Sequence, residues 1–156
     1  MRRLAFAMML AACGQVGEQS DAGTVTATFT SLYGDYFSHC SQCHAPGAPG
    51  RTSDIEQTLD FSTRTTAYTT IKTGMATGLM GNFSACNTVP FIDAQPGRSL
   101  ILAVLDQPTR QLFDLPAHPN CDVNTISDET VKVGSAPSAA FIAALKGWLQ
   151  AGAQNN

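Results

Sequence analysis

Five cysteines limit the folds open to this chain, because each of them can fix part of the fold by a covalent bond. Two of them, Cys40 and Cys43, stand three positions apart and are followed at once by His44. The remaining cysteines are isolated along the chain: Cys13, Cys86 and Cys121. The length of 156 residues favours one domain, so we expect all five to serve a single fold.

The segment from Cys40 to His44 reads C-S-Q-C-H, the C-x-x-C-H pattern by which c-type haem is attached. Two thiols separated by two residues lie on one side of a helical turn, where they can form thioethers with the two vinyl groups of one porphyrin. The adjacent imidazole can then ligate the iron. The pattern therefore predicts a haem c that Cys40 and Cys43 attach, with His44 as the proximal iron ligand.

Three other uses of the cysteine pair stay open. A thioredoxin-like redox pair expects a preceding strand in a βαβ unit, and the sequence has no strand pattern there. A zinc site needs further Cys or His ligands at matching spacing, which the sequence lacks. A cell-surface interaction module, in which Cys40 and Cys43 are merely oxidised, predicts no Soret absorption band. Next to the motif, His39 is expected at the surface or beside the haem edge.

Helical spacing of apolar residues extends over much of the chain. Between Val25 and Cys40 these residues follow one face of an α-helix, with a threonine at 24, 26 or 28 as its cap. Similar spacing predicts helices over 65–73, from 95 to about 105, and over 137–152. Glycines and prolines predict loops over 74–95 and 107–124. Because no run has the period of a strand, the predicted fold class is mostly α with long loops.

The N-terminus is typical of an exported lipoprotein. A positive start, M-R-R, precedes a short apolar run and small residues, as in a secretory signal peptide. That run is far shorter than the ~20 residues that span a bilayer as a helix. Residues 10–13, L-A-A-C, resemble the bacterial lipobox, in which the cysteine is diacylated. We predict a signal peptide over 1–12, lipidated Cys13 with a flexible tether over 13–25, and one domain over 26–153.

An ordinary signal peptide that happens to end near a cysteine is the alternative to lipidation. By resemblance to bacterial lipoproteins, Gly14 rather than aspartate after Cys13 favours the outer membrane over the inner one. The domain is then expected to face the periplasm.

Cys86 and Cys121 are the two cysteines that are assigned neither to lipid nor to haem. An even remainder in an oxidising compartment favours a disulfide. That bond would close a loop of about 36 residues and, in the chain-entropy model, stabilise the fold by about 4 kcal/mol. Two free thiols are the alternative.

Composition excludes one class of partner. The formal net charge is −3, and lysine and arginine are clustered only in the first three residues. A nucleic-acid-binding protein that relies on phosphate contacts is therefore not expected. No nucleophile elbow and no phosphate-binding glycine loop is present, so the sequence predicts no enzyme active site.

Three segments of the chain resemble the bacterial cytochrome c family, in particular the single-haem domains of exported planctomycete and myxobacterial proteins. They are the helix with the C-x-x-C-H motif, residues 96–101 (P-G-R-S-L-I) and residues 148–153 (W-L-Q-A-G-A). The resemblance extends over about residues 26–153. It implies a cytochrome c fold, in which the N- and C-terminal helices cross and loops close over the haem.

The chain departs from this family at the second axial ligand of the iron. Family members usually place a methionine in an Arg-Met-Pro segment, but the equivalent residues 113–119 (F-D-L-P-A-H-P) contain none. The candidates for the distal ligand are His118 first, then Met80 and Met75. An open or water-bound iron also stays possible.

The resulting functional prediction is electron transfer, not catalysis, between redox partner proteins. The alternative is a haem-based sensor or small haem enzyme, in which the sixth iron position exchanges ligands.

Overall fold

A computed structural model of the chain describes residues 24–48, 59–78, 81–111, 113, 120–123 and 136–156. Over these residues the fold is mostly helical and contains no β-strand, as the sequence predicts. One isolated bridge joins Met75 and Pro90. The predicted signal peptide, Cys13 and most of the predicted tether lie outside the described residues.

The first helix, α1, covers Phe29–Asp35 and begins after Thr28. The Thr28 hydroxyl accepts a hydrogen bond from the Ser31 backbone, so it is the capping threonine of the three candidates. The helix is shorter than the predicted 25–40. Gly34 and Asp35 have low helix propensity, and the backbone leaves the α conformation at Tyr36 and continues as a 3₁₀ helix over Phe37–Gln42.

Helix α2 covers Arg64–Thr73, close to the predicted 65–73. It begins at a reciprocal capping box, in which the side chains of Thr63 and Thr66 bond to each other's backbone N–H. Its buried residues, Ala67 and Ile71, lie on the face that the apolar spacing indicates.

The middle of the chain holds short helices. A 3₁₀ helix over Gly81–Cys86 lies within the predicted loop, and another over Pro96–Arg98 precedes helix α3, Leu100–Leu105. Helix α4, Gln107–Gln111, shows that the loop prediction was wrong over these five residues. Its proline at position 108 lies in the first turn, where backbone N–H groups have no partner within the helix, so the missing N–H of proline costs no hydrogen bond.

The last helix, α5, covers Ala139–Gln150, slightly shorter than the predicted 137–152. The Ser138 hydroxyl caps it by accepting a hydrogen bond from the Phe141 backbone. The helix buries one stripe of side chains against the core: Phe141, Ala144, Leu145, Trp148 and Leu149.

Aromatic rings join α1, α2 and α5 into one core. The Phe29 ring lies 5.3 Å from that of Trp148 and 5.2 Å from that of Tyr68. Towards the other end, Phe37 packs edge-to-face against Phe141 at 5.4 Å. The core therefore forms where the helices at the two ends of the domain meet.

The segment after α5 is bound to α1 and α2 by hydrogen bonds. Asn156 accepts from the backbone N–H groups of Phe29 and Thr30, which the first turn of α1 leaves without helical partners. Tyr68 donates to the Ala153 carbonyl at 3.1 Å, and Lys72 donates to a neighbouring carbonyl. These contacts fix the chain ends of the domain to each other.

No helix within the described ranges is both long and apolar enough to cross a membrane.

Candidate functional site

The C-x-x-C-H residues form a single helical turn at the end of the 3₁₀ helix that follows α1. The His44 backbone N–H donates to the Cys40 carbonyl at 2.8 Å, and the Cys43 N–H donates to the same carbonyl at 3.2 Å. Cys40 and Cys43 both carry thiols, and all three side chains are half-buried. The turn therefore holds two thiols and one imidazole in a fixed backbone frame.

Phe61 fixes the His44 imidazole. The two rings meet edge-to-face with their centroids 5.9 Å apart, and the Nδ1 atom of His44 is buried. The Phe61 backbone N–H donates to the His44 carbonyl at 2.6 Å. Because Phe61 is itself 1% exposed and packs against Phe37, the core limits the movement of the histidine ring.

Tyr33 connects α1 to this contact. Its hydroxyl donates to the Phe61 carbonyl at 3.0 Å, so Phe61 is held by its N–H and its C=O. Burial and the nearby charge of Asp60 raise the pKa of the Tyr33 phenol. The hydroxyl therefore stays a hydrogen-bond donor throughout the physiological pH range.

The structure describes one of the three candidate distal ligands. Met75 is 44% exposed, and its backbone pairs with Pro90. His118 and Met80 lie outside the described residues. His39 is exposed at the surface, one of the two positions expected for it.

Cys86 and Cys121 form the pairing that the sequence predicts. Their Cα atoms are 4.6 Å apart and their sulfur atoms are bonded. Cys86 is fully buried in the core and Cys121 is half-buried. The bond joins the segment after the predicted Met80 ligand to the segment after the predicted His118 ligand.

A second group of polar residues lies between α4 and α5, beside a cavity of about 640 Å³. Lys146 Nζ lies 2.7 Å from Asp106 Oδ2, and Thr109 donates to the same oxygen at 2.5 Å. Burial raises the pKa of Asp106, but these hydrogen bonds and the Lys146 charge outweigh burial, so the pKa lies below its ordinary value. None of the three C-x-x-C-H ligands is among the described residues that line this cavity.

Sequence reasoning missed this group because Lys146 stands far along the chain from Asp106, Thr109 and Arg110. Arg110 stands in a predicted loop, Asp106 stands between that loop and the helix predicted before it, and Lys146 stands on the half-buried side of a helix. The only signal was local: an acidic residue and an arginine four positions apart, the spacing of neighbours on a helix.

In the part of the chain that the structure describes, no three His, Cys, Asp or Glu side chains come together as a metal site. Comparison with protein-family models, with curated proteins and with solved structures finds no match for this chain.

Proposed function

We propose that this protein is an exported, lipid-anchored cytochrome c with a single haem, and that it carries electrons. The observation that supports this most is the turn from Cys40 to His44, where a 2.8 Å backbone hydrogen bond frames two half-buried thiols and an imidazole. Two thiols and one adjacent histidine are the donor set of covalently attached haem. The residues present therefore fit this group.

Each residue of the turn has a defined task in the proposal. Cys40 and Cys43 would hold the porphyrin by thioether bonds, and His44 would ligate the iron. When bound, the haem supplies an iron that takes up and releases one electron between Fe(III) and Fe(II). Phe61 restrains the imidazole by packing against it and reduces the access of water to that side of the site.

The packing of the terminal helices also supports the proposed cytochrome c fold. The resemblance implies that the first and last helices of the domain cross, and Phe29 of α1 does contact Trp148 of α5. The segment that leads into α1 also approaches α5 closely, because a Cβ atom at Gly147 would lie 3.2 Å from the Cβ atom of Ala27.

For the distal iron ligand we propose His118, with Met80 and then Met75 as the next candidates. A thioether ligand raises the reduction potential of haem iron relative to a second imidazole. The choice between these ligands therefore decides which redox partner proteins the cytochrome can serve.

The proposal places the domain in the periplasm, attached to a membrane through lipid on Cys13. The two acyl chains of a diacylated cysteine would hold the domain at the membrane, and the flexible tether would let it reach partners near the membrane surface. The outer membrane is favoured over the inner one.

The test is an absorption spectrum of the full chain, produced with its own N-terminus in a bacterium that matures c-type cytochromes. We expect a Soret band, and α and β bands that sharpen on reduction, in the exported protein. The paired variant Cys40→Ala/Cys43→Ala should lose covalent haem, whereas His39→Ala, which changes an exposed neighbour, should keep it. Absence of any Soret band in the unmodified protein contradicts the proposal.

The same spectrum separates the electron carrier from a sensor or small haem enzyme. A carrier with two axial ligands gives a low-spin spectrum that carbon monoxide does not change quickly. A high-spin spectrum with immediate carbon monoxide binding would favour the alternative. Loss of the low-spin spectrum in His118→Ala would assign the distal ligand to that residue.

A further inference from the structure

The cavity between α4 and α5 is large enough for a small molecule. Its volume of about 640 Å³ lies within the ~300–1,000 Å³ of ordinary ligand sites. One part of its wall is apolar and comes from both sides of the cavity: Leu105, Pro137, Ile142 and Ala143. Another part is charged and consists of Asp106, Arg110 and Lys146.

Arg110 is held in place by the end of helix α3. Its Nε atom donates to the Ala103 carbonyl at 3.0 Å, and its Nη2 atom donates to the Val104 carbonyl at 2.6 Å. The two protons on Nη1 make no hydrogen bond with any residue that the structure describes. A guanidinium fixed in this way loses little conformational entropy when it binds an anion.

The remaining two charges largely cancel each other. Lys146 pairs with Asp106, whose side chain is only 11% exposed, and Thr109 donates to the same carboxylate. The described residues of the wall therefore have a net charge of +1, in a chain whose formal net charge is −3. A site of this kind favours a ligand with one negative charge.

We propose that this cavity binds a small organic monocarboxylate with an apolar body. The carboxylate would accept hydrogen bonds from Arg110 Nη1 and from Lys146, and the hydrocarbon would pack against Ile142 and the apolar wall. A carboxylate fits better than a phosphate, which carries nearly two charges and makes no use of that wall. The proposal does not depend on haem at Cys40 and Cys43.

The test is a calorimetric titration of the purified, full exported protein with sodium octanoate at low ionic strength. Octanoate should bind at one site, and octanamide, which has the same chain without the charge, should bind at least about tenfold more weakly. Acetate, which lacks the apolar body, should also bind much more weakly. Added salt should weaken octanoate binding, because the attraction at this open site is screened.

Variants assign the binding to these residues. Arg110→Gln should weaken octanoate binding by about tenfold or more, since it removes a charge-assisted hydrogen bond. Arg98→Gln makes the same change on the 3₁₀ helix before α3, outside the cavity lining, and should leave the affinity unchanged.

A variant that should raise the affinity for octanoate distinguishes a change in binding from loss of folding. Asp106→Asn removes the one negative charge among the described lining residues, so it should tighten octanoate binding, whereas structural damage would weaken it. The proposal is overturned if octanoate does not bind, or if octanamide binds equally well. It is also overturned if neither Arg110→Gln nor Asp106→Asn changes the affinity for octanoate. The haem content of each variant is measured separately, so failure here is distinct from failure of the proposed electron carrier.

Discussion

Asp106 has a charged partner, a hydroxyl donor and a buried carboxylate. Its carboxylate is buried, which costs free energy for a charge, yet it receives hydrogen bonds from Lys146 and Thr109. These partners hold the pKa of Asp106 below its ordinary value despite burial. In the unfolded chain the partners are lost and the pKa returns to about 3.9.

Asp106 should therefore make stability depend on pH at the acid end. Because its pKa is lower in the folded state, its contribution to the free energy of unfolding is fully present above about pH 4. The contribution is lost as the pH falls through the folded-state pKa. Urea unfolding of the parent and Asp106→Asn at several pH values between about 2 and 6 measures this. We expect the difference between the two to shrink at low pH, and a constant difference would count against the assignment.

His44 shows what residue-level geometry adds to a motif. The spacing C-x-x-C-H predicts the ligands, but it contains no information on what restrains the imidazole. Phe61, seventeen positions later, does so through ring packing and a backbone hydrogen bond. Such a partner cannot be identified from one sequence, because nothing local marks which phenylalanine the fold brings to the histidine.

Two helical glycines, one in α1 and one in α5, differ in how closely neighbouring residues pack against them. In α1, a Cβ atom at Gly34 would meet nothing within 4 Å, whereas at Gly147 of α5 it would lie 3.2 Å from Ala27. The first glycine therefore weakens its helix without a packing role, and the second permits close approach of the segment before α1.

Gly34→Ala should raise the free energy of unfolding by about 0.5–1 kcal/mol, through helix propensity alone. Gly147→Val should lower it by about 1–3 kcal/mol, because the larger side chain separates α5 from the segment that leads into α1. Chemical unfolding of both variants checks this pair. A Gly147→Val variant as stable as the parent would show that the two segments are not packed as described.

The spacing of apolar residues predicts the helices that have a strong apolar stripe, and it does not predict the helices that lack one. Helix α5 was recognised because Phe141, Leu145 and Trp148 recur on one face and are buried there. Helix α4 is five residues long and mostly polar, so its sequence has no helical period, and its proline is typical of a loop. The length of α1 was overestimated because the apolar spacing continues through the 3₁₀ helix, where the backbone has already changed.

Hydrogen bonds and a disulfide join parts of the whole molecule that are distant along the chain. Asn156 bonds to the first turn of α1, 126 positions away from Thr30, and the Cys86–Cys121 bond closes a loop across a separation of 35. The sequence predicted the disulfide by counting cysteines. It gave no sign of the hydrogen bonds of the C-terminal segment, since asparagine and backbone carbonyls carry no pattern of their own.

Removal of the disulfide should lower the global stability. Replacing both cysteines, Cys86→Ala/Cys121→Ala, restores the entropy of a long loop in the unfolded chain and should cost about 2–4 kcal/mol. Thermal unfolding of the parent, the variant and the parent under reductant measures the effect. A variant with the same unfolding midpoint as the untreated parent would show that this bond does not stabilise the exported protein.

Mass spectrometry of the exported protein can detect one porphyrin attached covalently at the turn from Cys40 to His44. After proteolysis, the peptide that contains both cysteines should be heavier by the mass of one haem and should absorb in the Soret region. The same peptide from Cys40→Ala/Cys43→Ala should show neither property. If the peptide from the unmodified, exported protein has only the mass of its amino acids, the account is contradicted.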